Sequence, residues 1–287
     1  MGNGTRLRRK ISSWRLMNYT ISKFNLTTFN TMLNIYLQFV HTVQSRKVTE
    51  TVRKICTSYQ LYKEVPKSLK GRSKSSQEWL TRQLADPYVE KAKVLNYRCR
   101  SAFKLIEIDD RFSLLSPGQC VVDCGAAPGS WTQVAVHRVN ANGKDARKPV
   151  GQVIAVDRNP IYPIEGAMLM GGIDFTTPSA HAKLQELLDG KKVNTVLSDM
   201  APNASGIREM DHENIVHLAY SALRFAVQVS CVGGSVLLKV WDGRESARLE
   251  QDIARFYKQV KIVKPPASRS DSAEKFLLAR IFKGLKT

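Results

Sequence analysis

Cys120-Val121-Val122-Asp123-Cys124-Gly125-Ala126-Ala127-Pro128-Gly129-Ser130-Trp131 is the stretch on which the fold of this chain turns. Its first five residues read as a short buried strand, because apolar side chains run through it without polar alternation. The next five are small or conformationally special, so the backbone can turn sharply and come close to a ligand. Ser130–Val139 then reads as a helix, capped near Gly129 or Ser130. The turn lacks GxGxxG spacing and has no GK[ST], which disfavours a dinucleotide or a P-loop phosphate. A nucleotide with an amino-acid tail in place of a pyrophosphate fits it better.

Working outward, residues 153–157 (Val-Ile-Ala-Val-Asp) read as a second buried strand ending in an acid. Asp157 there would accept two hydrogen bonds from a ribose diol. A polar loop at 140–149 lengthens the connection between the two strands. Upstream, 94–111 reads as a helix. Downstream come a helix at 179–188, a strand at 193–199 ending in Asp199, and a long helix at 211–232 stopped by Gly233-Gly234. A strand at 235–240 carries Lys239, 246–259 is helical, and strands at 260–263 and 276–282 close the sheet. This βαβα rhythm predicts an α/β domain whose mostly parallel sheet has helices on both faces. Ligands on such sheets sit beyond the C-terminal ends of the strands, where Asp123, Asp157, Asp199 and Lys239 fall.

The composition adds a partner. The hydrophobic share of 43% is ordinary for a globular domain, but 44 Lys+Arg against 25 Asp+Glu give a net charge of +19. Residues 1–75 hold 15 of the basic residues and only two of the acidic ones. Such an excess points to a polyanion, with nucleic acid ahead of a membrane surface. The first 49 residues contain no Asp or Glu and carry eight basic residues among Ser, Thr and Asn. That is the composition of an organelle transit peptide, here a mitochondrial one, with a disordered basic arm as the plainer alternative. Met17 and Met32 are possible alternative starts. The polar, basic stretch 66–76 reads as a linker, which places the folded domain at 77–287.

No apolar run reaches the length of a membrane span. The five cysteines are too scattered for a disulfide framework, and Cys120 and Cys124 read as buried core thiols. His212 and His217 lie five apart where two ligands on one helix face would be four apart, so no metal is expected.

The runs GAAPGSW, VIAVDRNP, GIDF and LSDMAPNASG resemble the FtsJ family of RNA ribose 2′-O-methyltransferases, over about residues 77–284. Within that family, WLTRQLADPYVEKAKVLNYRCRSAFKL (79–105) is more similar to the mitochondrial large-subunit rRNA branch than to the tRNA anticodon-loop branch. The resemblance implies a Rossmann-like methyltransferase fold with a seven-stranded sheet, and S-adenosylmethionine as cofactor. By it, Gly125, Pro128, Gly129, Ser130 and Trp131 form the cofactor loop, with Ser130 in place of the family's commonest glycine. Asp157 would hold the ribose, Asp174 would sit by the adenine, and Asp199 would lie near the methionine part and the methyl group. The family's Lys-Asp-Lys-Glu tetrad maps onto Lys104, Asp199, Lys239 and Glu274. Asp271, three residues before Glu274, is a rival on sequence alone.

A ribose hydroxyl is a poor nucleophile until its proton is leaving, so a positioned base helps. A lysine serves only when neutral, which predicts a pKa lowered by burial or by a second cation. Lys239, in an apolar strand, is the expected base, and Lys104 the neighbour that tunes it and orients the ribose. Tyr97, Arg98, Arg100 and Lys104 on one helix, with Arg269 beside the tetrad in sequence, are the expected RNA contacts. The reading is therefore an S-adenosylmethionine-dependent 2′-O-methyltransferase of mitochondrial large-subunit rRNA, acting in the matrix on a ribosomal subunit precursor. The alternatives are a cytosolic tRNA anticodon-loop enzyme and a largely non-catalytic ribosome-assembly factor of the same fold. A small-molecule methyltransferase would leave the basic segment and the two lysines unexplained.

Overall fold

The computed structural model describes residues 73–203 and 205–285. The basic leader and most of the stretch read as linker lie outside the described residues. Helix α1 (Lys74–Ala85) begins inside that stretch, because the Ser73 hydroxyl caps it by accepting from the Ser76 N–H. Asp86 caps α2 (Pro87–Val94) in the same way, accepting from the Tyr88 N–H.

After α3 (Ala102–Phe112) the chain enters β1 (Cys120–Cys124), every residue of which is buried. Next come α4 (Ser130–Val139), β2 (Gln152–Asp157), β3 (Ala167–Gly171), α5 (Pro178–Leu188) and β4 (Val193–Ser198). The long α6 (Arg208–Val229), β5 (Ser230–Trp241), α7 (Arg244–Phe256), β6 (Tyr257–Val263) and β7 (Glu274–Phe282) complete the domain. The seven strands lie in the order β3-β2-β1-β4-β5-β7-β6, and β7 alone runs against its neighbours.

Strand β1 sits between β2 and β4, where the chain reverses its progress across the sheet. That switch point opens the crevice in which such sheets bind ligands. One face of the sheet packs against α5, α6 and α7, the other against α3 and α4. Strand residues alternate between these two cores, as their period of two requires. Leu238 and Val240 join the first core and Leu237 the second, so Lys239 stands on the α3–α4 face.

Three expectations need correction. The helix predicted over 94–111 is interrupted, because residues 95–101 lie between α2 and α3. There the Gln133 side chain accepts from the Arg98 N–H and donates to the Asn96 carbonyl, so a tertiary partner replaces the helical ladder. The helix predicted over 211–232 spans Arg208–Val229, and Gly233-Gly234 lies within β5. The β4–β5 register shifts at this point, with Gly233 in the left-handed region, so the glycines build a bulge. Edge strand β3 was not expected, since Ala-Met-Leu-Met carries helix-favouring residues.

Candidate active site

The glycine turn follows β1 directly, and two of its residues must be glycine. Gly125 has φ +77°, and a Cβ there would come within 2.5 Å of Met200. Gly129 has φ +110°, and a Cβ would meet Ile164 at 2.6 Å and the Arg98 guanidinium at 2.7 Å. The loop is held from both sides. Asp157 Oδ2 accepts from the Ala127 N–H at 2.9 Å, while its Oδ1 accepts from the Asn159 N–H at 2.6 Å. Arg98 donates to the carbonyls of Pro128 (2.7 Å), Tyr162 (2.8 Å) and Pro163 (2.7 Å), clamping the cofactor turn to the β2–β3 loop.

Beside the turn opens a cleft of about 590 Å³. Of the residues expected to bind cofactor, Gly125, Asp157, Asp174 and Asp199 line it. Pro128, Gly129, Ser130 and Trp131 do not line it; they support it. Trp131 is 2% exposed, packs on Phe276 and donates its indole N–H to the Ser101 carbonyl. The buried Ser130 hydroxyl lies 2.7 Å from that of Ser101 and 3.0 Å from Cys99 Sγ. Sequence reasoning missed Arg158, Asn159, Phe175, Thr176 and the 200–203 loop, which line the cleft as neighbours of the strand-end acids. It also missed Asn214 and His217, one turn apart on α6, whose i, i+3 spacing was the available signal.

The cleft is acidic within a basic protein. Asp157, Asp174 and Asp199 face it, and Asp123 is fully buried below. Thr176 holds the Asp174 carboxyl below its ordinary range by donating both its hydroxyl and its backbone N–H. Burial pushes the Asp123 carboxyl up to about 7 against the Thr132 hydrogen bond, and the charges of Asp199 and Asp157 add to the rise. Carboxylates at these positions suit a ligand with a ribose diol and a positive charge better than one with a pyrophosphate. The donor set therefore fits S-adenosylmethionine, whose sulfonium and amino groups are cationic.

At the cleft's end the four tetrad residues meet. Lys104, from α3, lies 2.6 and 2.7 Å from the two carboxylate oxygens of Glu274, at the start of β7. Lys239 Nζ lies 3.1 Å from Glu274 Oε2 and 3.1 Å from Asp199 Oδ1. All four side chains are at most 16% exposed. The Ser268 hydroxyl donates to Glu274 Oε1 at 2.8 Å. Asp271, the rival acid, is exposed.

The electrostatics of Lys239 differ from the expectation. Burial pulls its pKa down, but Asp199 and Glu274 outweigh burial and push it up to about 12. The second cation, Lys104, is itself neutralised by Glu274 and cannot provide the expected depression. Burial raises the Glu274 carboxyl, yet Lys239 and Lys104 together bring it down to about 2.

The expected RNA residues do not share a helix face. Tyr97, Arg98 and Arg100 lie between helices, and Tyr97 packs edge-on against Phe103. Arg100 pairs with Asp86 at 2.7 Å and donates to the Ala267 carbonyl. Arg269 reaches the same Asp86 oxygen at 3.5 Å. Only Lys104 among them joins the tetrad.

Among the described residues no cluster of His, Cys, Asp and Glu is arranged to hold a metal ion, and no helix is long and apolar enough to cross a membrane. The FtsJ-like methyltransferase profile matches residues 97–282. The "rRNA methyltransferase 2, mitochondrial" of Drosophila melanogaster is 60% identical over 222 residues, 77% of this chain and 89% of that protein. The "ribosomal RNA large subunit methyltransferase E" of Ruegeria pomeroyi is 44% identical over 218 residues, 76% of this chain and 93% of that protein. A solved structure from Plasmodium falciparum, assigned as a ribosomal RNA methyltransferase, superposes with a TM-score of 0.58 at 28% identity. It is covered completely and corresponds to 66% of this chain.

Proposed function

Because the chain belongs to the FtsJ-like methyltransferase family, we propose that it methylates the ribose 2′-hydroxyl of a uridine in mitochondrial large-subunit rRNA. The convergence of Lys104, Asp199, Lys239 and Glu274 at the end of the acidic cleft carries the reading. The 60% identity to the Drosophila protein and the acid-free leader support the mitochondrial assignment, with the matrix as the compartment. The catalytic domain follows the basic leader and includes α1, which begins at Lys74.

S-adenosylmethionine, held by Asp157, Asp174 and Asp199, would supply an electrophilic methyl group on a sulfonium, with the neutral thioether as leaving group. The residues of the chain arrange the rest. Asp157 and Asp174 hold the nucleoside end, and Asp199 stands between the methyl-donor side of the cleft and Lys239. Lys104, held by the same Glu274 carboxylate as Lys239, orients the acceptor ribose. Lys239 takes the hydroxyl proton onto Nζ, which requires its neutral form. With its pKa near 12 the neutral fraction is small at pH 7 and rises about tenfold per pH unit.

Turnover with saturating cofactor and RNA should therefore climb with pH between 7 and 9. A plateau already reached at pH 7 would remove Lys239 from the base role. Lys239→Ala should keep cofactor binding by calorimetry and lose transfer by a factor of about 10²–10⁴. Mapping of ribose methylation with and without the protein tests the substrate. Loss of one mark in mitochondrial large-subunit rRNA supports the reading, whereas loss at a tRNA anticodon loop overturns it.

A further inference from the structure

Trp241 is the last residue of β5, two positions beyond Lys239. Residues two apart on a strand share a face, so Trp241 stands with Lys239 on the α3–α4 side of the sheet. In the antiparallel pairing of β5 with β7 its direct partner is Glu274. Facing side chains in such a pair are near neighbours. The backbone here is fixed, since pairing continues past it through the Asp242 N–H to the Ala273 carbonyl at 3.1 Å.

This tryptophan stands outside the hydrophobic cores that hold the domain together and is only partly buried. Among the described residues it makes no ring contact with another aromatic, and no acceptor receives its indole N–H. Trp131 makes the contrast: it is 2% exposed, packed against Phe276 with tilted rings and hydrogen-bonded through its indole. A single surface aromatic ordinarily needs no explanation. Trp241 differs by its position, paired across the strands with Glu274 and two residues beyond Lys239, at a site whose proposed acceptor is attached to a flat aromatic base.

We propose that Trp241 is a stacking platform for a nucleobase of the RNA substrate, forming the wall of the acceptor subsite next to Glu274 and Lys239. The proposal rests on the reading of the substrate as RNA. Single-stranded bases are held by just such contacts, because every base presents a π-face to an aromatic ring. It also supplies an aromatic contact at the tetrad, since Tyr97 is occupied with Phe103 and the arginines near it bind the protein itself.

The test uses full-length protein and large-subunit rRNA from mitochondria of cells that lack it. Trp241→Leu should raise the KM for rRNA about tenfold while cofactor affinity by calorimetry is unchanged, and Trp241→Phe should recover most of the loss. Ultraviolet crosslinking of the wild-type protein should join Trp241 to a nucleotide, a readout independent of how the variants fold. An unchanged KM for Trp241→Leu, equal losses for Leu and Phe, or crosslinks confined to other residues overturn the subsite alone. Wild-type protein that transfers no methyl group to rRNA overturns the substrate reading and the subsite with it.

Discussion

Glu274 links the two lysines of the tetrad, and its environment has a consequence for stability. Its folded pKa of about 2 lies below the ordinary 4.5 because Lys239 and Lys104 outweigh burial. A depressed acid contributes stability that is present above its unfolded pKa and lost as pH falls through the folded one. The contribution of Glu274 is thus complete above about pH 5 and disappears towards pH 2. Glu274→Gln should cost about 3 kcal/mol at neutral pH, since it leaves the buried Lys104 ammonium without its counter-ion and Lys239 with Asp199 alone. Its denaturation midpoint should also fall less steeply than the wild type's between pH 5 and 2. Parallel acid limbs for the two proteins in urea titrations would refute this account. The residue pattern made Glu274 a better match than Asp271, but distance decided between them.

At the scale of elements, the segment between α2 and α3 does more than connect helices. Arg98 ties the glycine turn to the β2–β3 loop, and Arg100 and Arg269 share Asp86, which also caps α2. Glu107 of α3 accepts from the Tyr88 hydroxyl and from the Ala267 N–H, next to the serine that holds Glu274. Side chains that look like an RNA-facing basic helix in sequence are here internal clamps. Arg98→Ala should weaken cofactor binding about tenfold, because three carbonyls lose a charged donor and the turn loosens. Turnover at saturating cofactor should change little. If calorimetry instead finds cofactor affinity intact and RNA affinity reduced, Arg98 acts on the nucleic acid and the clamp is incidental.

Across the whole molecule, a net charge of +19 coexists with a cleft lined by carboxylates. On the proposed function the two features serve different ligands. The acids suit a cationic cofactor at close range, whereas the basic excess attracts a polyanion over a Debye length. Binding of rRNA should therefore weaken about 100-fold or more between 50 and 200 mM salt, if about five or more phosphates are engaged. Filter binding across that range checks it, and a flat response would exclude phosphate contacts as the main source of affinity.

The sequence by itself determined the parallel sheet, the glycine turn and the acids at the strand ends. Each of these is written in a short window: a buried strand, small residues where backbone must turn, a carboxylate at the last strand position. It also supplied the tetrad residues, through a family pattern. The interruption at 95–101 escaped it because Gln133 replaces the helical hydrogen bonds from a distant element. The bulge at Gly233-Gly234 escaped it because a glycine pair stops a helix and bends a strand equally well. Only the tertiary structure decided that Lys239 is held charged, that Arg98 clamps the turn, and that Trp241 stands opposite Glu274 outside the hydrophobic cores. The physical reason is separation along the chain. Lys104 and Glu274 are 170 residues apart, and their 2.7 Å contact exists only once the sheet has brought α3 over β7.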